Sequence, residues 1–223
     1  MRKFFFLAFA LSMILVAGAA EAASRVFVIH GIPGVPVDVY ASLAGAPIPT
    51  TPTIAGFLPK AIADVQAGPA TVDIRIYAQG ANPQTAQPVI AVLGAVIPNN
   101  VELSVVAHLD GQGAPTATIY RNDNSPVASG MARVSVRHAA QAPAVQLVAG
   151  GVPKLALTNP YFGDLEVPAG VALPLPLQLQ VPFSGAAITP TATFAFNGGV
   201  RYFVYAIGSV GGGTFDFILQ AVR

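Results

Sequence analysis

The sequence predicts an all-β protein: two tandem antiparallel β-sandwich modules behind an N-terminal signal peptide. Three observations carry this. Short runs rich in Val, Ile, Tyr and Phe alternate in polarity and are separated by turn residues, with no helical period over any useful window. The 20 prolines and 22 glycines among 223 residues break or weaken helix interiors. The segments of the second half repeat those of the first in the same order.

Residues 1–22 read as the signal peptide. Arg2 and Lys3 supply a positive start, Phe4 to Val16 is apolar apart from Ser12, and Ala20-Glu-Ala22 offers the small residues a signal peptidase reads, with cleavage after Ala22. The run is shorter than the roughly 20 residues a membrane helix needs, so no span is expected after cleavage. No cysteine follows it, which excludes lipid attachment at a cleaved N-terminal cysteine. Cleavage leaves 9 basic and 9 acidic residues, a net charge of zero. Such a chain has no basic surface for nucleic acid and little charge repulsion between copies. With 0 cysteines, no disulfide braces it.

In the first module, 25–121, Arg25–His30 is a strand by its β-branched and aromatic content, and Val37-Asp-Val-Tyr40 alternates as a half-buried strand does. Pro33, Gly34 and Pro36 lie between them, which predicts an opening hairpin. Residues 44–59, with Pro47, Pro49, Pro52 and Pro59, predict an irregular crossing loop. Ala61–Gln66 and Thr71–Tyr77 flank Ala67-Gly-Pro69 and predict a second hairpin. Val89–Val96, Glu102–Leu109 and Thr116–Arg121 complete about seven short strands, the immunoglobulin-like pattern. The polar segment 122–130 is the expected linker.

The second module, 131–223, restarts the pattern. Ala132–His138 echoes Ser24–His30, Ala144–Val148 echoes Val37–Tyr40, and Val200–Ile207 stands where Val101–His108 stood. In Leu173–Gln180 the leucines share one face, while Pro174 and Pro176 fall on the other. Prolines there predict an edge or a partly unpaired strand.

The runs Arg25-Val-Phe-Val-Ile-His30 and Arg133-Val-Ser-Val-Arg-His138, each followed by a proline turn and a short alternating strand, resemble the bacterial domain-of-unknown-function family 4397. Pro168-Ala-Gly170 and Tyr202-Phe-Val-Tyr-Ala-Ile-Gly208 match that family's later landmarks. The resemblance covers nearly all of the mature chain in two copies. It implies an exported β-sandwich module, often in tandem, and carries over no activity. The first copy departs in Gly31-Ile32 and the second in Gln146, where the family's aspartate is expected.

For chemistry, Val26-Phe-Val-Ile-His-Gly-Ile-Pro-Gly34 resembles the oxyanion loop of an α/β-hydrolase. No serine has the glycine two residues before it that a nucleophile elbow needs, and no amphipathic helix is present to flank a parallel sheet. His30, His108 and His138 are far apart in sequence, with no cysteine to join them, so no metal or other cofactor is expected. The histidines ending the first strand of each copy are expected to bond turn backbone. Asp38, Asp64 and Asp73 are carboxylates that folding could bring together, with a solvated face the expected alternative.

The candidate binding residues are His30, Asp38, Tyr40, His138, Tyr161 and Phe162. The function expected is an extracytoplasmic (periplasmic, secreted or cell-surface), non-enzymatic module that touches an envelope or surface protein or a glycan. The alternatives are a structural protein self-associating through edges such as Leu173–Gln180, and a hydrolase.

Overall fold

The computed structural model describes residues 23–170, 175–189 and 191–223. The expected signal peptide, and Leu173 and Pro174 of the proline-bearing strand, lie outside the described residues. The chain is all-β. Sixteen strands run in order: β1 Ser24–His30, β2 Val37–Leu43, β3 Ile54–Phe57, β4 Ile62–Ala67, β5 Ala70–Ala78, β6 Ile90–Ile97, β7 Glu102–Leu109, β8 Pro115–Arg121, β9 Met131–Gln141, β10 Val145–Ala149, β11 Val152–Leu157, β12 Phe162–Pro168, β13 Leu175–Gln180, β14 Ala192–Phe194, β15 Arg201–Ser209 and β16 Asp216–Val222.

They form four four-stranded sheets: β3-β2-β5-β6, β4-β1-β7-β8, β12-β9-β15-β16 and β11-β10-β13-β14. Adding eight to each number of the first pair of sheets generates the second pair, so the repeat seen in the sequence is a repeat of topology. Pairing is antiparallel except for β1 with β7 and β9 with β15, which are parallel.

The sheets stack in the order outer, inner, inner, outer. Val37, Val39, Phe57 and Ile76 of the first outer sheet meet Val28, Ala63, Ala107 and Ala117 of the first inner sheet. Val134, Val136, Tyr202 and Ala206 of the second inner sheet meet Val145, Leu147 and Leu179 of the second outer sheet. A third core joins the two inner sheets: Phe27, Ile29, Val106 and Tyr120 pack against Ala139, Phe203, Tyr205, Ile207, Ile218 and Val222. Both inner sheets are therefore covered on both faces. That is why Tyr202 to Ile207 reads as apolar on alternate and intervening positions alike. The even positions enter one core and the odd positions the other.

The polar side chains that face this central core are bonded to each other. Arg137, 1% exposed, donates from Nη1 to the Tyr205 hydroxyl at 3.1 Å and from Nη2 to Asn122 Oδ1. Its guanidinium lies 4.7 Å from the ring centres of Tyr120 and Phe203 and 5.1 Å from that of Tyr205. Tyr205 donates onward to Gln220, and Asn122 Nδ2 donates to Glu102. Arg201 meets both oxygens of Glu102 at 2.7 and 3.2 Å. Burial lowers the Arg137 pKa and pushes the Tyr120 phenol up to about 12. Asn122, the first residue of the expected linker, is buried in this network.

Several expectations change. Neither β1–β2 nor β4–β5 is a hairpin: each connection crosses from one sheet to the other, because β1 pairs with β4 and β7 while β2 pairs with β3 and β5. The residues 44–59 contain a strand, β3, held by its pairing with β2 rather than by its own propensity. Of the two alternatives for the proline-bearing strand the second holds: β13 is no edge, since β10 and β14 flank it, but Leu175 and Pro176 have no partner on β10. Pro176 is tolerated because the ladder to β10 starts only at Leu177.

Candidate functional site

Each half places four loops beyond the C-terminal end of its parallel strand pair. In the first half these are 31–36, 58–61, 79–89 and 110–114; in the second, 142–144, 158–161, 181–189 and 210–215. The two sets lie at the same end of the molecule. Asn159 Nδ2 donates to Leu109 O at 2.7 Å and to Ala140 O at 2.8 Å, and Lys60 pairs with Asp216. Gly31 also sits against Ile207.

The histidines fasten these loops. His30 Nε2 donates to Val35 O at 3.2 Å, and its Nδ1 accepts from Ile32 N–H at 3.4 Å. His138 Nε2 donates to Pro143 O at 2.9 Å, the equivalent bond in the second half. His108 bonds Leu109 O and the Thr118 hydroxyl, both at 2.9 Å. Among the described residues, no group of three or more His, Asp or Glu is placed to hold a metal ion.

Burial lowers the pKa of all three histidines below its ordinary value of 6.5. In the window below about 6.5 the unfolded chain binds more protons than the folded one, so stability is full above that pH and falls as the pH descends toward the lower folded values. Melting temperature is therefore expected to drop between about pH 7.5 and pH 5. Replacement of His30 or His138 by Gln should make the slope shallower. A flat profile would show that these histidines are not held neutral.

Of the six candidate residues, four are buried and bonded or packed internally. His30 and His138 close their own turns. The Asp38 carboxylate accepts from Gly56 N–H at 2.7 Å and Gly80 N–H at 2.8 Å, tying β3 and the 79–89 loop to β2, and is not bonded to His30. Tyr40 packs edge-on to Tyr77. Asp64 lies on the first inner sheet and pairs with Arg25, whereas Asp38 and Asp73 lie on the outer one, so these three carboxylates do not converge. Tyr161 and Phe162 are different. Tyr161 is 67% exposed, and Phe162 is exposed while its ring packs edge-on against Tyr120 at 5.7 Å. The Tyr120 hydroxyl donates to Pro160 O at 2.7 Å, so the first half of the chain sets the position of this pair.

Other exposed residues at the same end were not singled out by sequence. Val35 is 65% exposed, Leu58 is 59% exposed, and Val210 and Phe183 join them, Phe183 fully exposed at φ +66°. A non-glycine residue at positive φ is strained. The available signal was a lone apolar residue between Pro and Gly or Ser, as in Pro182-Phe-Ser184 and Gly34-Val-Pro36.

Lys60 and Asp110 are the only charged residues in these eight loops. Lys60 is paired with Asp216, and Asp110 Oδ1 accepts from the N–H groups of Gln112 and Ala114 in its own turn. The opposite end carries the ion pairs: Arg25 with Asp64, Arg133 with Asp123 and Glu166, and Arg201 with Glu102.

Gly31 belongs to the loop end too. Its N–H donates to Ala107 O at 2.7 Å, so the amide that an oxyanion loop would present is engaged in the sheet. A Cβ there would lie 2.8 Å from Ile207 Cγ2.

No curated protein matches the chain. The family model described as Domain of unknown function (DUF4397) matches residues 24–148, more than half of the chain and the whole of the first nine strands. With that match, and with His30 and His138 each closing the equivalent turn in a repeated strand order, the chain belongs to the DUF4397 family.

Proposed function

We propose that this protein is an exported, non-enzymatic binding module of the cell envelope or surface, and that it meets its partner through the end that gathers the eight loops. The observation that carries the reading is the contrast between the two ends. One end is rich in ion pairs; the other is nearly free of charge and holds Val35, Leu58, Tyr161, Phe183 and Val210 out in solvent. Exposed apolar tips on a rigid sandwich are the arrangement by which sheet proteins present binding loops. Interface centres are depleted of charge and enriched in aromatic residues.

Export is supported by Arg2-Lys3, the apolar run to Val16 and Ala20-Glu-Ala22. The partner best suited to such tips is an envelope protein with an apolar recess, because Val35, Leu58, Phe183 and Val210 offer hydrocarbon to a partner and the chain has no tryptophan to stack on a sugar ring.

Photo-crosslinking in the producing cells tests this. A crosslinking residue at position 161 or 183 is expected to yield a defined adduct. The same residue at position 99, at the far end, is expected to yield none. Tyr161→Ser combined with Phe183→Ser should lower adduct yield from position 35 at least about tenfold, the scale of one lost aromatic contact. Equal labelling from both ends, or no effect of the double change, would discard the reading.

A further inference from the structure

The two halves share a topology but not the closure of one corner. In the first half the eight-residue β6 lies against β8, and Ala117 and Ile119 of β8 are half-buried in the cores. In the second half β14 has only three residues. The β16 residues at the same register, Phe217 and Leu219, are 37% and 48% exposed. Together with Val204, Leu147, Phe194 and Phe196 they line an apolar cavity of about 100 Å³ between the second inner and outer sheets.

Among the described strands, β16 is also the unprotected edge. Natural sheets blunt their edges with charges, prolines, bulges or short strands. Among the other edge strands, β3 and β14 are short, β4 carries Asp64, and β6 is bulged at Leu93–Gly94. β8 carries Pro115 and Arg121, β11 carries Pro153 and Lys154, and β12 carries Asp164, Glu166 and Pro168. From Phe217 to Val222, β16 has no charge and no proline, and its register to β15 is unbroken. The direction of its backbone groups follows from one bond. Phe217 N–H donates to Asp216 Oδ1 at 2.7 Å, not to β15, so Phe217, Leu219 and Ala221 turn their N–H and C=O groups outward.

We propose that two copies of this chain pair antiparallel along β16 about a two-fold axis at Leu219, joining their second inner sheets into one. In that register Leu219 N–H of each copy donates to Leu219 C=O of the other. Phe217 of each copy stands opposite Ala221 of its mate, a large residue against a small one. The side chains of Phe217 and Leu219 from both copies lie on the cavity side and cover its mouths. The strand is thus self-complementary, as an isologous interface requires. The equal count of acidic and basic residues expected in the mature chain adds no repulsion between copies. This interface is separate from the loop end and does not depend on the function proposed for it.

Light scattering and sedimentation of the mature protein, from about 1 to 100 µM, test the proposal. A dimer mass is expected. Leu219→Pro removes the N–H groups at the two-fold while leaving the ladder to β15 intact, because that N–H faces outward. Leu219→Lys sets two ammonium groups against each other at a half-exposed position, from which the long side chain of a monomer can reach water. Each change should weaken the dimer about 100-fold or more, with far-ultraviolet dichroism unchanged. Leu219→Cys, the sole cysteine of that variant, should give a covalent dimer on oxidation, since paired Cα atoms there are about 5.5 Å apart. A wild-type monomer at the highest concentration overturns the proposal, as does a dimer that survives Leu219→Lys.

Discussion

Replacement of Arg137 by alanine is expected to destabilise the protein by about 3–5 kcal/mol, at the upper end of what a single side-chain truncation costs. The guanidinium sits between three aromatic rings and donates to Tyr205 and Asn122 in the centre of the core that joins the halves. Alanine removes those bonds and leaves a space the width of the side chain, in a core whose other members are rigid rings and sheet backbone. Methionine refills most of that space without the buried cation. The Tyr205 hydroxyl keeps Gln220, and Asn122 Oδ1 keeps the bond donated by the Ser104 hydroxyl, so both groups retain a partner. Arg137→Met should therefore lose less than half of what Arg137→Ala loses. Urea denaturation of the three proteins checks this; equal losses would show that the positive charge and its bonds, not the volume, hold the halves together.

Gly31→Val is expected to destabilise by about 3 kcal/mol or more, and Gly31→Ala by about 1–3 kcal/mol, the range for overfilling a packed core. A Cβ at Gly31 meets Ile207 Cγ2 at 2.8 Å and the backbone oxygen of Ala107 at 2.9 Å. Neither neighbour can retreat easily, since both belong to inner sheets covered on both faces. The equivalent position of the second half is Ala139, which is fully buried and tolerates its methyl group. The glycine therefore marks the copy whose neighbours leave no room for a methyl group. Ile207→Ala should recover part of the loss of Gly31→Ala, leaving the clash with the carbonyl. The pair should couple by about 0.5–3 kcal/mol in a double-mutant cycle. If Gly31→Ala left stability unchanged, packing would not be the reason for the glycine.

Most of the strands were legible in the chain. β1, β2, β5, β7, β9, β15 and β16 are long enough, and rich enough in Val, Ile, Tyr and Phe, to declare themselves. β3, β11 and β14 were not, being short, interrupted by Gly or Pro, or polar. They exist because a neighbouring strand offers backbone groups to pair with. The candidate site was legible in part. Tyr161 and Phe162 stood out as adjacent aromatics beside a proline, and the structure leaves both exposed. Val35, Leu58, Phe183 and Val210 look like ordinary apolar residues in sequence; only their positions on loop tips give them meaning. His30 and His138 bond turn backbone as their places at strand ends led one to expect, and Asp38, also a binding candidate, is an internal fastener too, because a buried polar side chain finds N–H and C=O partners within the fold.

By itself, the sequence determined that the protein is all-β, where most strands run and that the chain repeats a pattern. These properties follow from local physics: side-chain alternation, β-branching and the turn preferences of Gly and Pro act within a few residues. Which strands pair, and in which sheet, was decided only by the tertiary structure. So was the burial of Arg137, the need for Gly31, and the gathering of eight loops at one end while β16 keeps an open edge. Each of these depends on residues distant in sequence, and no local preference distinguishes a strand covered on one face from one covered on both.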